Sequence, residues 1–221
     1  MARMHPTYSE LARRWKALRA SHDVRLREVA CVGAPRTLVC ADYGDVHLPT
    51  VLLTAGVHGD EPAGPLALFE LVSRGLLDRR FSYRIWPCTN PSGFDLGTRE
   101  SSDGVDINRT FGRGGSSPEA KAIVMANRDH KFVLSIDLHE DDEAADFYTY
   151  EYGFATKRFP SALCPDPQAE AELLNGLSLT LLLIRNASPQ AITIETPSSR
   201  LPLERRVEMH VAAVQEVLRL T

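Results

Sequence analysis

Residues 52–61 read LLTAGVHGDE, an apolar run that leads into a glycine-punctuated turn with a histidine and an acid three residues apart. Residues 50–57 are short, apolar and bounded by Pro49 and Gly59, which predicts a buried strand. Residues 62–77 then place their apolar side chains at helical spacing. The sequence therefore predicts a strand that passes through this turn directly into a helix.

His58 and Glu61 lie in that turn, at the carboxyl end of the predicted strand. Ligands of open α/β sheets bind outside the carboxyl ends of the strands. A His-x-x-Glu pair at such a place can offer one nitrogen and one oxygen to a single zinc ion. A solvated turn that happens to contain both residues is the alternative, and the pair alone does not decide between the two.

Length and composition are those of one ordinary globular domain. The chain has 221 residues, of which 43% are hydrophobic and 24% are charged, and its net charge is −4. A chain of this size buries roughly 70% of its unfolded surface, which is enough for a core without staples. The chain is not basic enough to indicate a nucleic-acid partner. We expect residues 1–221 to form a single domain.

Targeting signals and cysteine usage predict a cytoplasmic protein without a membrane partner. The first residues lack the apolar segment of a secretory signal, and no stretch approaches 18 consecutive apolar residues. The cysteines show no CxxC spacing, so buried free thiols in a reducing compartment are favoured, with one or two disulfides as the alternative. They are Cys31, Cys40, Cys88 and Cys164. Nothing in the sequence indicates the oligomeric state.

Helices and strands alternate along the chain. Helices are predicted at residues 8–21, 62–77, 117–129, 168–183 and 202–220, and strands at residues 24–32, 36–43, 50–57, 83–88, 131–138, 146–152 and 191–194. Residues 90–117 have almost no periodicity, and a loop of that length inside a compact domain is usually functional or disordered. The alternation predicts an α/β fold, a three-layer αβα sandwich with a mixed, largely parallel sheet.

Polar side chains collect where predicted strands end. His58 and Glu61 follow one strand, and His139 and Glu195 follow two others. If these strands run parallel, all of these ends lie along one edge of the sheet. Two histidines and one carboxylate with an open fourth position form a ligand set of catalytic zinc. A lone histidine at a strand boundary is more often hydrogen-bonded than a ligand, and a lone acid is usually solvated, but together these coincidences favour a site.

The strand at residues 83–88 feeds the irregular loop, which contains Arg99, Asp106, Asn108 and Arg109. A guanidinium group matches a carboxylate in a bidentate manner, which lysine cannot do. A surface salt bridge is the alternative for both arginines. We favour a functional role because both lie in the same irregular loop.

The sequence resembles the zinc carboxypeptidase family in its compact bacterial form, and more distantly the succinylglutamate desuccinylase and aspartoacylase group. The matching motifs, in family order, are His58-Gly59-Asp60-Glu61 with Gly64, Asn90-Pro91-Ser92-Gly93, Gly97-Thr98-Arg99, Gly104-Val105-Asp106-Ile107-Asn108-Arg109-Thr110-Phe111, Asp137-Leu138-His139 and Glu195. The GVDINRTF string is the most specific of them. The resemblance implies a zinc carboxypeptidase-like catalytic domain with the phosphorylase/hydrolase-like architecture.

Residue by residue, the resemblance implies a site for one zinc ion. His58, Glu61 and His139 would be its ligands. Asp106 would accept a hydrogen bond from the free ring nitrogen of His58 and thereby fix its tautomer. Zinc would therefore be the cofactor of this chain.

The resemblance also implies the catalytic and substrate-binding groups. Glu195 would be the general base and later the general acid, and Arg99 would polarise the scissile carbonyl and stabilise the oxyanion. Asn108 and Arg109 would bind the terminal carboxylate of the substrate. The substrate would be a small peptide or an acylated amino acid.

Three activities and one inactive role remain open. The lead hypothesis is a metallocarboxypeptidase-like hydrolase that cleaves an amide next to a free carboxylate. A cell-wall peptide amidase is one alternative, because compact bacterial members of the family include such enzymes. An N-acyl amino acid deacylase is another, because the aspartoacylase group shares His-x-x-Glu, Asn-Arg and a later histidine. A catalytically inactive binding domain is the remaining alternative, although no ligand or base is missing.

Two features of the family pattern are not placed by the sequence. Tyr148, Tyr150 and Tyr152 are all candidates for the tyrosine that caps the substrate, but their alternation suits core packing equally well. The acidic run at residues 140–143 repels anions, attracts a basic group or binds a further cation if it is functional. A solvated loop is the commonest interpretation of such a run.

Overall fold

The computed structural model describes residues 5–20, 23–34, 36–112, 116–152, 162–163, 190–198 and 200–221. The strands in this part of the chain are β1 (Val24–Val29), β2 (Leu38–Tyr43), β3 (Thr50–Ala55), β4 (Ser82–Trp86), β5 (Leu134–Asp141), β6 (Tyr148–Tyr152), β7 (Ala162–Leu163) and β8 (Ala191–Pro197). The helices are α1 (Tyr8–Leu18), α2 (Ala63–Ser73), α3 (Pro91–Leu96), α4 (Pro118–Asn127) and α5 (Leu203–Leu220), with a short 3-10 turn at Ile107–Arg109.

The strands form one mixed sheet in the order β1-β2-β4-β3-β5-β8-β6-β7. Strands β4, β3, β5 and β8 are neighbours and run parallel. Strands β1 and β2 continue the sheet antiparallel on one side, and β6 pairs antiparallel with β8 on the other. The carboxyl ends of the four parallel strands therefore meet at one edge, as the sequence predicts.

Two apolar clusters cover the two faces of the sheet. The larger cluster joins side chains of β3, β5 and β8 to helices α1, α2 and α5. The smaller cluster joins Leu52 and Trp86 to Ile107 and to Ile123 of α4. Because successive side chains of a strand point to opposite faces, Leu134, Ile136 and Leu138 of β5 face the larger cluster. The fold is thus an αβα sandwich with helices on both faces, which confirms the prediction.

Two glycines let the turn after β3 pack against the start of α3. A Cβ atom built on Gly59 would lie 1.9 Å from the carbonyl carbon of Gly93 and 2.2 Å from the backbone nitrogen of Phe94. The Gly59 N–H also donates to the carbonyl of Thr98 at 2.9 Å. The backbone of the turn is therefore held in contact with the backbone of the next element, which fixes the position of His58.

Part of the predicted loop is structured. Residues 91–96 form helix α3, because Asn90 caps it by accepting from the N–H of Gly93 at 2.9 Å and Pro91 occupies its first turn. Strand β5 also continues to Asp141, three residues beyond the predicted end, because β8 pairs with it over that length. The predicted helix at residues 168–183 lies outside the described residues.

The cysteines within the described part of the chain are buried and free. Cys31, Cys40 and Cys88 belong to this group, whereas Cys164 lies outside it. Burial raises the pKa of the Cys31 and Cys40 thiols to about 11. These thiols are therefore inert at neutral pH, as expected for core packing. None of the helices in the described ranges has the length and apolar character needed to cross a membrane.

Candidate metal centre

His58, Glu61 and His139 meet at the carboxyl edge of the sheet. The Glu61 carboxylate lies between the two imidazoles, with Oε1 2.5 Å from Nδ1 of His58 and Oε2 3.1 Å from Nδ1 of His139. One ligand atom from each residue lies within 4.8 Å of the others, and all three residues are buried. Two imidazole nitrogens and one carboxylate oxygen this close together are a donor set that can hold one metal ion.

Each histidine has an acid beside its second ring nitrogen. Nε2 of His58 lies 3.6 Å from Oδ1 of Asp106, and Nε2 of His139 lies 3.1 Å from Oδ2 of Asp137. Asp137 is itself oriented by Thr54, whose hydroxyl donates to its Oδ1 at 2.6 Å. A carboxylate at hydrogen-bond distance from Nε2, as Asp137 is from His139, holds the imidazole in the tautomer that leaves Nδ1 free for a metal. Asp106 lies just beyond that distance from Nε2 of His58. This arrangement fits the donor set described above.

The role of Asp137 is a site feature that the sequence did not assign. Asp137 and His139 are two residues apart on β5, so their side chains point to the same face of the sheet. That spacing was the available signal, because it places a carboxylate beside a candidate histidine ligand on any regular strand. Thr54 was not predictable in this way, since it reaches Asp137 from the neighbouring strand β3.

The electrostatics of the cluster favour a cation. Burial opposes the ionisation of Glu61, but the two histidines outweigh it and lower the Glu61 pKa to about 2. Burial likewise opposes the ionisation of Asp106, and His58 together with Arg99 lowers the Asp106 pKa to about 2. Burial disfavours the charged form of His139, but Asp137 and Glu61 raise its pKa well above the ordinary value. The carboxylates are thus ionised and attract positive charge.

Glu195 lies on β8 directly opposite His139 of β5 in the strand register. Burial raises the pKa of Glu195 to about 7; the nearby carboxylates of Glu61 and Asp141 also raise this pKa, and His139 opposes the rise. A carboxyl group with such a pKa can take up and release a proton near neutral pH. The structure therefore brings the predicted base beside the three candidate ligands.

The loop after β4 brings Arg99 to the same cluster. Nε and Nη2 of Arg99 both lie 3.3 Å from Oδ2 of Asp106, and Nη1 lies 3.5 Å from Nδ1 of His58. Asp106 also accepts from the N–H of Asn108 at 2.9 Å and so caps the 3-10 turn. Asn108 is buried, whereas Arg109 at the end of this turn is exposed. Arg99 and Asp106 thus pack at the cluster, whereas Arg109 is exposed and close enough to Asp106 to lower its pKa.

Of the three candidate tyrosines, Tyr148 is the one that lies opposite Glu195 in the strand register. Its hydroxyl donates to Oδ2 of Asp141 at 2.7 Å. The ring of Tyr150 packs edge-on against the ring of Tyr148, with centroids 5.5 Å apart, and Tyr152 is buried. Tyr148 is therefore the tyrosine nearest to the proposed base among the three.

The interpretation of the acidic run as a solvated loop is wrong for Glu140. Its side chain is 0% exposed and forms an ion pair with Arg206 of α5, which is 6% exposed. Asp142 and Glu143 at the end of the run are exposed. The reason is that β5 extends through residue 141, so Glu140 belongs to a strand and faces the helical layer. A second buried contact of α5 joins Nε2 of His210 to the hydroxyl of Thr196, 3.1 Å away.

A known protein family matches the part of the chain that contains this site. The catalytic domain of the succinylglutamate desuccinylase/aspartoacylase family matches residues 47–198. That range contains every residue of the candidate centre, and it also contains Arg99 and Arg109. The sequence motifs therefore match this family over the part of the chain that builds the cluster.

Two curated relatives have the names of a carboxypeptidase and an amidase. Carboxypeptidase SOL1 of Arabidopsis thaliana is 29% identical over 140 residues, which are 54% of this chain and 28% of that protein. Murein peptide amidase A of Escherichia coli K12 is 38% identical over 60 residues, which are 27% of this chain and 24% of that protein. The matches thus span about a quarter of the length of these relatives.

A solved structure with the same fold is the metallo-carboxypeptidase from Burkholderia cenocepacia. It superposes with a TM-score of 0.74 at 17% identity and covers 96% of this chain and 68% of that chain. At this level of identity the likeness shows the fold alone. It confirms the carboxypeptidase-like α/β sandwich that the sequence predicts.

Proposed function

The chain belongs to the succinylglutamate desuccinylase/aspartoacylase catalytic-domain family, and from this premise we propose that it is a zinc-dependent hydrolase of peptide or amide bonds next to a free carboxylate. The observation that carries the proposal is the buried cluster of His58, Glu61 and His139, with Glu195 opposite His139 on the next strand. This is a three-ligand arrangement with an acid beside it, as in catalytic rather than structural zinc sites.

The residues of the chain divide the chemical work. A bound zinc ion would lower the pKa of a water molecule from 15.7 to about 7 and would thereby provide a nucleophile at neutral pH. Glu195 accepts the proton of the attacking water and then passes it to the leaving amine. Arg99 donates to the carbonyl oxygen on which negative charge develops. Asp106 and Asp137 keep the imidazoles in the tautomer required of ligands.

Substrate orientation falls to the loop that follows β4. Arg109 is exposed beside the cluster, and a guanidinium group there can bind a carboxylate through two parallel hydrogen bonds. Asn108 adds an amide to the same turn. Together they select substrates that end in a free carboxylate next to the scissile bond, such as small peptides.

A deacylase of N-acyl amino acids is the second candidate function, and the family match favours it specifically. Such a substrate also carries a carboxylate next to an amide, so Arg109 and Asn108 would serve equally. The two candidate functions differ in the acyl group of the substrate. It is a short acid for the deacylase and a peptide for the carboxypeptidase-like hydrolase. One relative is named a murein peptide amidase. A cell-wall peptide is therefore a third candidate within the same class of substrates.

The deciding experiment compares substrates on one purified protein. The chain is stripped with a chelator, reloaded with one equivalent of zinc, and assayed against peptides with a free C-terminus, the same peptides with an amidated C-terminus, cell-wall peptides and N-acyl amino acids. We expect turnover that requires zinc and that disappears with C-terminal amidation. Turnover of N-acyl amino acids alone would favour the deacylase.

An inactive binding domain makes the opposite prediction. It would bind no zinc, or would bind zinc without turnover of any substrate in the panel, and either result would overturn the proposal.

The free buried thiols support a reducing compartment as the place of action. We therefore propose that the hydrolase works in the cytoplasm.

A further inference from the structure

Arg206 and Glu140 form a buried ion pair beneath the candidate metal centre. Nη1 of Arg206, on α5, donates to Oε2 of Glu140, and the two side chains are 6% and 0% exposed. Glu140 directly follows His139 on β5, but alternation turns its side chain to the opposite face of the sheet. The pair is therefore adjacent to the cluster along the chain without being part of it.

Glu140 contacts both elements that carry the candidate ligands. Its Oε1 accepts from the N–H of Ala63 at 2.8 Å, at the first residue of α2. Its own backbone N–H donates to Oε2 of Glu61 at 3.2 Å. Pro62 at the N-cap of α2 provides no side-chain cap, so Glu140 takes that function from a distant strand. One residue thus ties the turn of Glu61 to the strand of His139.

Stability alone is a weak reason for such a pair. Two charges lose their hydration on burial, and replacing a buried ion pair by apolar side chains of similar volume is often neutral or stabilising. A fixed guanidinium does, however, hold a carboxylate in one orientation, because its planar fork restricts the geometry of the pair. The geometry that it fixes here is that of the Glu140 carboxylate, and, through the N–H of Ala63, that of the turn that carries Glu61.

We propose that Arg206 is a positioning residue for the metal centre: it orients the Glu140 carboxylate, which accepts from the N–H of Ala63 and so holds the turn of Glu61 in the arrangement that binds the ion. The inference rests on the proposed metal-dependent function. It predicts that loss of the pair weakens metal binding in a protein that still folds.

The test measures zinc affinity by competition with a chromophoric chelator, together with the melting temperature of the metal-free protein and the visible spectrum of its cobalt form. The central variant is Glu140→Met/Arg206→Met, which removes both charges and so leaves no unpaired buried charge. We expect its zinc affinity to fall by about 10- to 100-fold, as for other groups that orient metal ligands. We also expect a changed cobalt spectrum.

Two further variants separate positioning from general stability. Arg206→Lys keeps the positive charge but not the planar fork. We expect its zinc affinity to lie between that of the wild type and that of the double variant. Arg84→Met breaks an ion pair between β4 and β2, strands that carry none of the candidate ligands. Arg84 and Asp42 are 7% and 23% exposed, and Nε of Arg84 lies 2.8 Å from Oδ1 of Asp42. We expect this control to lower the melting temperature while zinc affinity and the cobalt spectrum stay unchanged.

The outcomes are distinguishable. Wild-type zinc affinity and an unchanged cobalt spectrum in the double variant would overturn the positioning role while leaving the proposed function intact. An equal loss of affinity in Arg84→Met would also overturn it. A wild-type protein that binds no zinc would overturn both the proposed function and this inference.

Discussion

Glu195 is the single side chain on which turnover should depend most. Replacing it by glutamine keeps the shape but removes the proton acceptor, so we expect Glu195→Gln to bind zinc and to lose about 10²- to 10⁴-fold in kcat. His139→Ala removes a ligand instead, so we expect it to lose the metal itself. Metal content and kcat of both variants check the two roles.

A control for this comparison is Glu208→Gln on α5. Glu208 pairs with Arg205 at the surface, with 67% and 63% of the side chains exposed, so neither metal content nor kcat should change. Full activity of Glu195→Gln would show that another group is the base. Zinc retention by His139→Ala would remove that residue from the ligand set.

Arg109 is expected to act on binding and not on the chemical step. Its exposed position beside the cluster suits the ground-state grip of a carboxylate. We therefore expect Arg109→Ala to raise KM for substrates with a free carboxylate and to leave kcat nearly unchanged, the pattern of lost uniform binding. Steady-state kinetics measure this, with Arg128→Ala as the control, since Arg128 is an exposed arginine that directly follows α4. An unchanged KM would contradict the carboxylate clamp.

The contact between the turn after β3 and helix α3 belongs to the scale of elements. Gly59→Ala would place a methyl group against the backbone of Gly93, and backbone cannot move aside as a flexible side chain can. Overpacking of this kind destabilises by about 1–3 kcal/mol, and here it also displaces His58. We expect a lower melting temperature and weaker zinc binding.

The matched control is Gly75→Ala. Gly75 has φ = 63° but nothing within 4 Å of an added Cβ, so its substitution carries only the backbone strain of about 1–2 kcal/mol. It should lower stability without weakening zinc binding. Equal zinc affinity in Gly59→Ala and the wild type would show that the turn does not need this contact.

The individual elements differ in how far sequence predicts them. The strand, turn and helix around His58 are predictable because an apolar run, glycine punctuation and helical periodicity all agree there. Helix α3 is not, because its six residues are too few to show periodicity and only its cap, Asn90, and the following Pro91 indicate it. The true end of β5 depends on pairing with β8, a contact between distant parts of the chain.

At the scale of the whole molecule, His210 makes stability depend on pH. It is 0% exposed, and burial lowers its pKa to about 3, against the opposing effect of Glu61. Between pH 6.5 and 3 the unfolded chain therefore binds a proton that the folded protein excludes, so stability falls as pH falls. Each pH unit in this window is equivalent to about 1.4 kcal/mol.

His210→Gln isolates this effect in urea unfolding of the metal-free protein at pH 7, 6, 5 and 4. We expect the advantage of the wild type over the variant to shrink by about 1.4 kcal/mol per pH unit below 6.5. The comparison with the variant is needed because the pKa of His139 is raised. The effect of His139 on the pH dependence of stability therefore has the opposite sign, and it adds stability at low pH. A constant difference between the two proteins would contradict the buried neutral state of His210.

The whole-molecule arrangement was predictable in outline and not in its buried contacts. Parallel strands that each end in a polar residue place those residues at one edge, which is a consequence of topology alone. The contacts of α5 with Glu140 and Thr196 come from a helix whose sequence resembles an ordinary amphipathic surface helix. Arg206 and His210 show no signal there, because charged and polar residues on such a helix are normally solvated.

The alternation of β5 also limits how the length of the chain can vary. His139 and Asp137 face the candidate metal centre, and Glu140 faces the helices, only while the count of residues from the start of the strand is kept. A deletion of one residue between Leu134 and Ile136 would exchange the two sets of side chains and turn Glu140 toward the candidate metal centre. Insertions and deletions among relatives should therefore accumulate in the turn at residues 142–147 and be excluded from the strand itself.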